Sequence, residues 1–233
     1  MFQLFHHPLE PRCRYIRLCL AEKQVPFELV EEPFWLRRTE FLRRSPTGEV
    51  PVLADPNEDM ANGIKTETGT ALSDATVIAE YLEETAGAPS LLGNAPRTRA
   101  EVRRLATWFS QRFVAEVAHP LLTERVWKRL SNTGEPDTFM LRAATQNLGY
   151  HLAYIQYLTE RRTWLAGEQI SLADLAAAAA LSSLDYLGAV PWATAPEAKE
   201  WYAKVKSRPS FRGLLGDHLP GLPPSKDYTN LDF

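Results

Sequence analysis

The residues with chemistry to offer gather near the start of the chain, in the run Phe5-His6-His7-Pro8-Leu9-Glu10-Pro11-Arg12-Cys13. A cysteine at a helix N-terminus can carry a depressed pKa and act as a redox thiol. The same residue buried is a small, inert hydrophobe, and that second reading is the one adopted for Cys13. His6 could donate to an anion and, as an imidazolium, stabilise a thiolate. Cys13 and Cys19 lie six residues apart on one helix, about 9 Å along its axis, too far to bridge, so both are expected as reduced thiols. The five histidines, His6, His7, His119, His151 and His218, do not fall at ligand spacing with cysteine or carboxylate partners. No metal site is expected.

These groups must be positioned by the surrounding elements, and composition bounds what those are. The chain has 233 residues, 26 basic and 29 acidic side chains, a formal net charge of −3 and 45% hydrophobic residues. That is ample for a core, and it argues against a partner bound mainly through phosphates, so nucleic acid is not expected. The first residues lack a basic start and a secretory pattern, and the longest apolar stretch, Leu175 to Leu181, is far too short to span a membrane; a cytoplasmic location is expected.

Met1 to Phe5 reads as a buried strand, Cys13 onward as a helix with apolar Ile16, Leu18, Cys19 and Leu20, and Val25 to Val30 as a second strand. Ser45 to Leu53 is a turn feeding a strand with Pro51 inside it. A proline there implies an edge position or a tight turn with a cis bond. Ser73-Asp74 caps a helix from Ala75 to Glu84. The order is βαβ then ββα, which places helices on both faces of a mixed sheet. The Gly- and Pro-rich stretch 87–96 is a linker, and residues 97–212 show only helical periodicity, with Ser171 and Asp174 forming a capping box. Within that part His119-Pro120 should end or bend its helix. Residues 213–233 read as an extended tail. The fold class is α/β plus all-α, with domains at 1–86 and 97–212.

Taken in order, His7 to Cys13, Gly48-Glu49-Val50-Pro51-Val52-Leu53, Leu72-Ser73-Asp74 with Ile78, and Ser171-Leu172-Ala173-Asp174-Leu175 resemble the glutathione transferase superfamily over nearly the whole chain. The resemblance implies a thioredoxin-like N-terminal domain and a helical C-terminal domain. It makes Pro51 a cis-proline whose preceding Val50 offers its backbone to the cysteinyl part of glutathione. It also exposes departures. The position of the activating serine or cysteine falls on Glu10, whose carboxylate would repel a thiolate and raise its pKa. The activating tyrosine of other classes falls on His6. Of the acidic-then-hydroxyl pair that holds the γ-glutamyl group, Asp74 remains and Ala75 has lost the hydroxyl. Against the Cys-Pro-x-Cys motif of glutaredoxins, Glu10-Pro11-Arg12-Cys13 keeps only the second cysteine. The glutathione site, including Arg12, is therefore expected to be degenerate, with no catalytic residue and no cofactor. An active glutathione transferase or glutathione-dependent thiol transferase, using His6 or Cys13, is the alternative.

Within the superfamily, the altered Glu-Pro-Arg-Cys helix start, the insertion from Asp55 to Thr68 and the tail Lys226 to Phe233 are similar to the FtsZ-binding cell-division members of alphaproteobacteria. That resemblance implies a homodimeric adaptor at the division site, binding FtsZ, favouring curved and bundled filaments and linking them to septal wall synthesis. Trp35 stands where a loop borders the family's glutathione site and is a candidate partner anchor. Trp108, Arg112 and Glu116, at i, i+4 and i+8, form a mixed apolar and charged stripe suited to a subunit contact. In the tail, the leucines are expected to dock while the free end is read by a partner through Asp227, Tyr228 and Phe233.

Overall fold

A computed structural model describes residues 1–55, 65–66 and 69–231. The insertion expected at Asp55 to Thr68 falls largely outside these residues, as does Phe233. The first half runs β1 (Phe2–His6), α1 (Pro11–Glu22), β2 (Phe27–Glu31), a 3-10 turn at Phe34–Leu36, α2 (Thr39–Leu42), β3 (Val52–Asp55), β4 (Lys65–Thr66), β5 (Gly69–Ser73) and α3 (Ala75–Thr85). The sheet order is β2-β1-β3-β5-β4, with β1 parallel to β2 and the remaining pairs antiparallel. Leu4 on β1 stands opposite Leu53 on β3, and both are buried. Such alternation fixes the register, because a one-residue slip would turn Leu4 to the other face.

Pro51 lies just before β3 rather than inside a strand, joined to Val50 by a cis peptide bond. β3 is flanked on both sides, so the proline avoids the ladder by preceding it, not by sitting at an edge.

After the linker comes a long helical rod, residues 96–131. It opens with α4 (Pro96–Thr107), continues through π-helical turns at Trp108–Arg112 and Val114–Ala118, then α5 (His119–Leu122), a third π-helical turn at Thr123–Trp127, and α6 (Lys128–Ser131). The helix does not end at His119-Pro120. His119 keeps helical dihedrals, φ −61° and ψ −48°, because the wide turn before it shifts the hydrogen-bond register around the N–H that proline lacks. Next come α7 (Thr138–Thr159), α8 (Leu172–Tyr186), α9 (Pro196–Lys206) and α10 (Arg212–Leu215). Every residue of α8 is buried. Its run Ala176 to Ala180 lets α1 and α4 approach closely from either side, and this helix is the centre of the core.

Asp174 near its start accepts from the Ser171 N–H and hydroxyl, the Leu165 N–H and the Trp201 indole, at 2.8–3.0 Å. It is a structural hub. The linker is pinned by Lys23, whose Nζ pairs with Glu83 at 2.9 Å and donates to the Gly87 and Pro89 carbonyls.

The tail corrects the expectation of an extended segment with a free end. Leu214 and Leu219 are buried as expected, but Tyr228 is completely buried too. Its hydroxyl accepts from Arg14 at 2.8 Å and donates to the Leu214 carbonyl at 2.9 Å. A tyrosine so placed is unavailable to a partner. It anchors the tail across the seam between α1 and α8, where Arg14 also donates to Ser182 and Asp217.

Candidate functional site

The cleft between the two halves opens at the N-terminus of α1. Pro11 at the first helical position pre-sets its φ, and Glu10 caps it, accepting from the Arg12 N–H at 2.8 Å. Glu10 is 2% exposed yet has two more contacts to account for its charge. Arg12 Nε donates to its Oε1 at 2.9 Å, His119 Nε2 donates to the same oxygen at 2.9 Å, and Arg12 reaches on to Glu49 at 3.2 Å. Burial by itself would push this carboxyl up. The His119 hydrogen bond and the charges of His119 and Arg12 outweigh it and hold the group below the usual carboxylate range. Glu10 is thus a buried, fully partnered anion. The start of α1 therefore carries a buried negative charge.

Beside it, Arg12, Thr47, Glu49, Val50, Pro51, Ser73, Asp74 and Ala75 line a cavity of about 70 Å³. Pockets for drug-sized ligands run to roughly 300–1,000 Å³. Asp74 sits at φ +77°, a strained conformation for a residue with a Cβ, and one carboxylate oxygen caps α3 through the Thr76 and Val77 N–H groups. Val50, the cis-Pro51 and Asp74 are therefore brought together at one end of the cleft, with Ala75 buried and offering no hydroxyl.

The other wall is aromatic. Trp35, His7, Phe34, Trp127 and His119 form a chain of edge-to-face contacts with centroids 5.2–5.4 Å apart, and His7 also meets Phe34 at 6.0 Å. Trp35 is half-buried in this seam, and next to it Leu36 is 61% exposed. Spacing gave no warning of His119 and Trp127 here, because they reach the cleft from more than 100 residues away.

Both alternative active residues are buried and shifted away from their charged forms. Cys13 is wholly buried among Phe41, Val50, Val52 and Ala71, and burial, reinforced by the Glu10 charge, pushes its thiol well above the usual value. His6 is buried, and burial together with the Arg17 charge lowers it to about 3. It stays neutral at pH 7 and carries no spare positive charge for a thiolate.

Trp108, Arg112 and Glu116 do share a face, on the π-helical turns of the rod. The Arg112 guanidinium lies 4.6 Å over the Trp108 ring and its Nε meets Glu116 Oε1 at 2.9 Å. With Asn147, Tyr150 and His151 of α7 they line a second, open cavity of about 390 Å³. This site is separate from the cleft. Alongside it α7 exposes Phe139, Tyr150 and Tyr157 at 74%, 67% and 54%. Asp227 stands exposed next to the buried Tyr228. Among the described residues no group of histidine, cysteine or carboxylate side chains is placed to hold a metal, and no helix is long and apolar enough to cross a membrane.

The sequence matches the glutathione S-transferase N-terminal domain over residues 11–85 and the glutathione S-transferase C-terminal domain over residues 119–209. FtsZ-localized protein A of Caulobacter vibrioides is 44% identical over 230 residues, which span 99% of this chain and 97% of that protein. The structure of FzlA from C. crescentus superposes with a TM-score of 0.91 at 44% identity, over 100% of this chain and 99% of the other. A glutathione S-transferase from Rhodospirillum rubrum F11 superposes with a TM-score of 0.92 at 46% identity over the full length of both chains. With both domains matched in order and a full-length relative at this identity, the chain belongs to the glutathione S-transferase family.

Proposed function

We propose that the protein is a non-catalytic, homodimeric adaptor that binds FtsZ filaments at the division site in the cytoplasm, promotes their curvature and bundling, and couples them to septal wall synthesis. The observation that carries this reading is the full-length likeness to a protein named for its localisation to FtsZ. The cleft supports it: an ionised Glu10, held by His119 and Arg12, stands where catalysis on glutathione needs a donor. No cofactor is required. The filament-binding surface is assigned to the cleft rim around Trp35, and the protomer contact to the Trp108, Arg112 and Glu116 face with its exposed α7 aromatics.

The retained Val50, cis-Pro51 and Asp74 favour one competing reading, glutathione binding with residual transferase activity. Co-sedimentation with GTP-assembled FtsZ, run beside glutathione calorimetry in the same buffer, separates the two. Pelleting with filaments and no glutathione heat supports the adaptor. Glutathione binding without pelleting overturns it.

The exposed Asp227 gives a narrower test of the tail. Asp227→Lys is expected to impair coupling to septal partners in pull-down while leaving the helical circular dichroism signal intact, since an exposed substitution shifts stability by about 0.5 kcal/mol or less. Loss of the helical signal would refute a binding role for this position.

A further inference from the structure

His151 on α7 faces the π-helical turns, is 3% exposed, and has both ring nitrogens engaged. Its Nδ1 accepts from Trp108 Nε1 at 3.1 Å, and its Nε2 meets Glu116 Oε2 at 3.0 Å. An indole N–H can only donate and an ionised carboxylate can only accept, so these contacts fix the neutral tautomer with its proton on Nε2. Phe113 packs edge-on against the imidazole at 4.9 Å. The other oxygen of Glu116 takes Arg112, and Arg112 lies over Trp108, so the four side chains close a ring of contacts.

We infer that this face is operated by a proton: His151 positions Trp108 and Glu116 for partner contact while neutral and releases them when its Nδ1 is protonated. A second proton has only Nδ1 to occupy. There it confronts the Trp108 N–H, donor against donor, and that hydrogen bond is lost. The imidazolium also competes with Arg112 for Glu116, loosening the guanidinium from the indole. The charged groups bearing on His151 are Glu116 and Arg112, both from the facing rod; its cavity neighbours on α7, Asn147 and Tyr150, are uncharged. Among the described residues, α5 and α9, which also pack on α7, bring no charge to bear on it. Burial holds His151 below the ordinary histidine value despite Glu116, so the ring is neutral near pH 7.5 and takes its second proton only below the ordinary histidine range.

The inference rests on the reading that this face joins two protomers. In a two-fold dimer each lost contact counts twice, so dissociation is expected to strengthen on the order of tenfold. The test is sedimentation equilibrium at pH 7.5 and 5.5, with circular dichroism at each pH to keep dissociation apart from unfolding. His151→Gln is the informative variant: its amide can accept from Trp108 and donate to Glu116, and it takes no proton. The expected result is a wild-type dimer that weakens about tenfold in acid and a His151→Gln dimer that does not. Equal pH dependence in the two proteins overturns the inference. So does a wild-type dimer indifferent to pH. A protein monomeric at pH 7.5 overturns the dimer reading and the inference with it. The ring nitrogen shifts of His151 give an independent reading: a protonated Nδ1 at pH 7.5 overturns the switch whatever the oligomeric state.

Discussion

Lowering the pH from 7.5 to 4.5 is expected to remove about 5 kcal/mol of folding stability, most of it through two adjacent histidines. Burial, with the charge of Arg17, drops His6 to about 3, and burial drops His7 to about 4 despite the neighbouring Glu10. Both are neutral in the folded protein and take a proton near 6.5 when the chain unfolds. The unfolded state therefore binds more protons in this window. The stability is fully present above about 6.5 and drains as pH falls toward 4 and then 3. At pH 4.5 each histidine lies about two pH units below its unfolded value, worth about 2.7 kcal/mol apiece at 1.36 kcal/mol per unit. Against a typical total of about 5–15 kcal/mol that is enough to bring the protein close to unfolding. Asp174, pushed up by burial, works in the opposite sense and offsets part of the loss. Urea midpoints at pH 7.5, 6.0, 5.0 and 4.5 measure the slope. His6 Nδ1 has no hydrogen-bond partner, so a leucine there gives up little at neutral pH. His6→Leu is expected to recover about 2–3 kcal/mol at pH 4.5 relative to wild type. An unchanged slope in that variant would show that the acid lability lies elsewhere.

The same two histidines show what the sequence could and could not tell. The run His6 to Cys13 marks a strand giving way to a capped helix, and Asp74 and Ser171 announce helix starts; these signals are local and the chain obeys them. Val50-Pro51 was legible in part: a proline in an apolar run marks a special position, but its place before β3 rather than inside the strand was not readable. His119 was not. Its sequence neighbourhood says only that a proline follows, whereas its role comes from meeting Glu10 across 109 positions. The π-helical turns that carry it past Pro120 have no periodicity that distinguishes them from ordinary helix. Trp108 and Glu116 could be placed on one face by counting, but the His151 that fastens them comes from another helix. In the tail, the leucines advertise burial through their side chains. Tyr228 does not, since a tyrosine beside Asp227 and Thr229 suits an exposed motif equally well. Only the buried Arg14, which needs acceptors for all its donors, decides the matter.

That arginine makes Tyr228 the position where the tail is most sensitive. The ring packs against Tyr186 at 5.2 Å in an edge-to-face contact, with Arg14 and Lys206 within 6 Å of its centroid. Tyr228→Ala removes a fully buried aromatic ring, a class of change that costs about 3–5 kcal/mol, and also takes a hydroxyl acceptor from a buried guanidinium. Tyr228→Phe keeps the ring and strips only the hydroxyl. Arg14 then retains Ser182, Asp217 and the Pro8 carbonyl, so the expected cost is about 1–3 kcal/mol. The contrast with Asp227→Lys, one residue away and expected to be nearly neutral, is the signature of a docked tail. In a free tail all three substitutions would be silent in a urea melt. Docking also predicts that trypsin cuts slowly after Lys226 in the wild-type protein and quickly in Tyr228→Ala, because the protease must first pull the segment from α8, where Ser225 is bonded to the Asp185 and Tyr186 carbonyls. A Tyr228→Ala protein within 1 kcal/mol of wild type, cut no faster after Lys226, would return the tail to the status of a loose peptide.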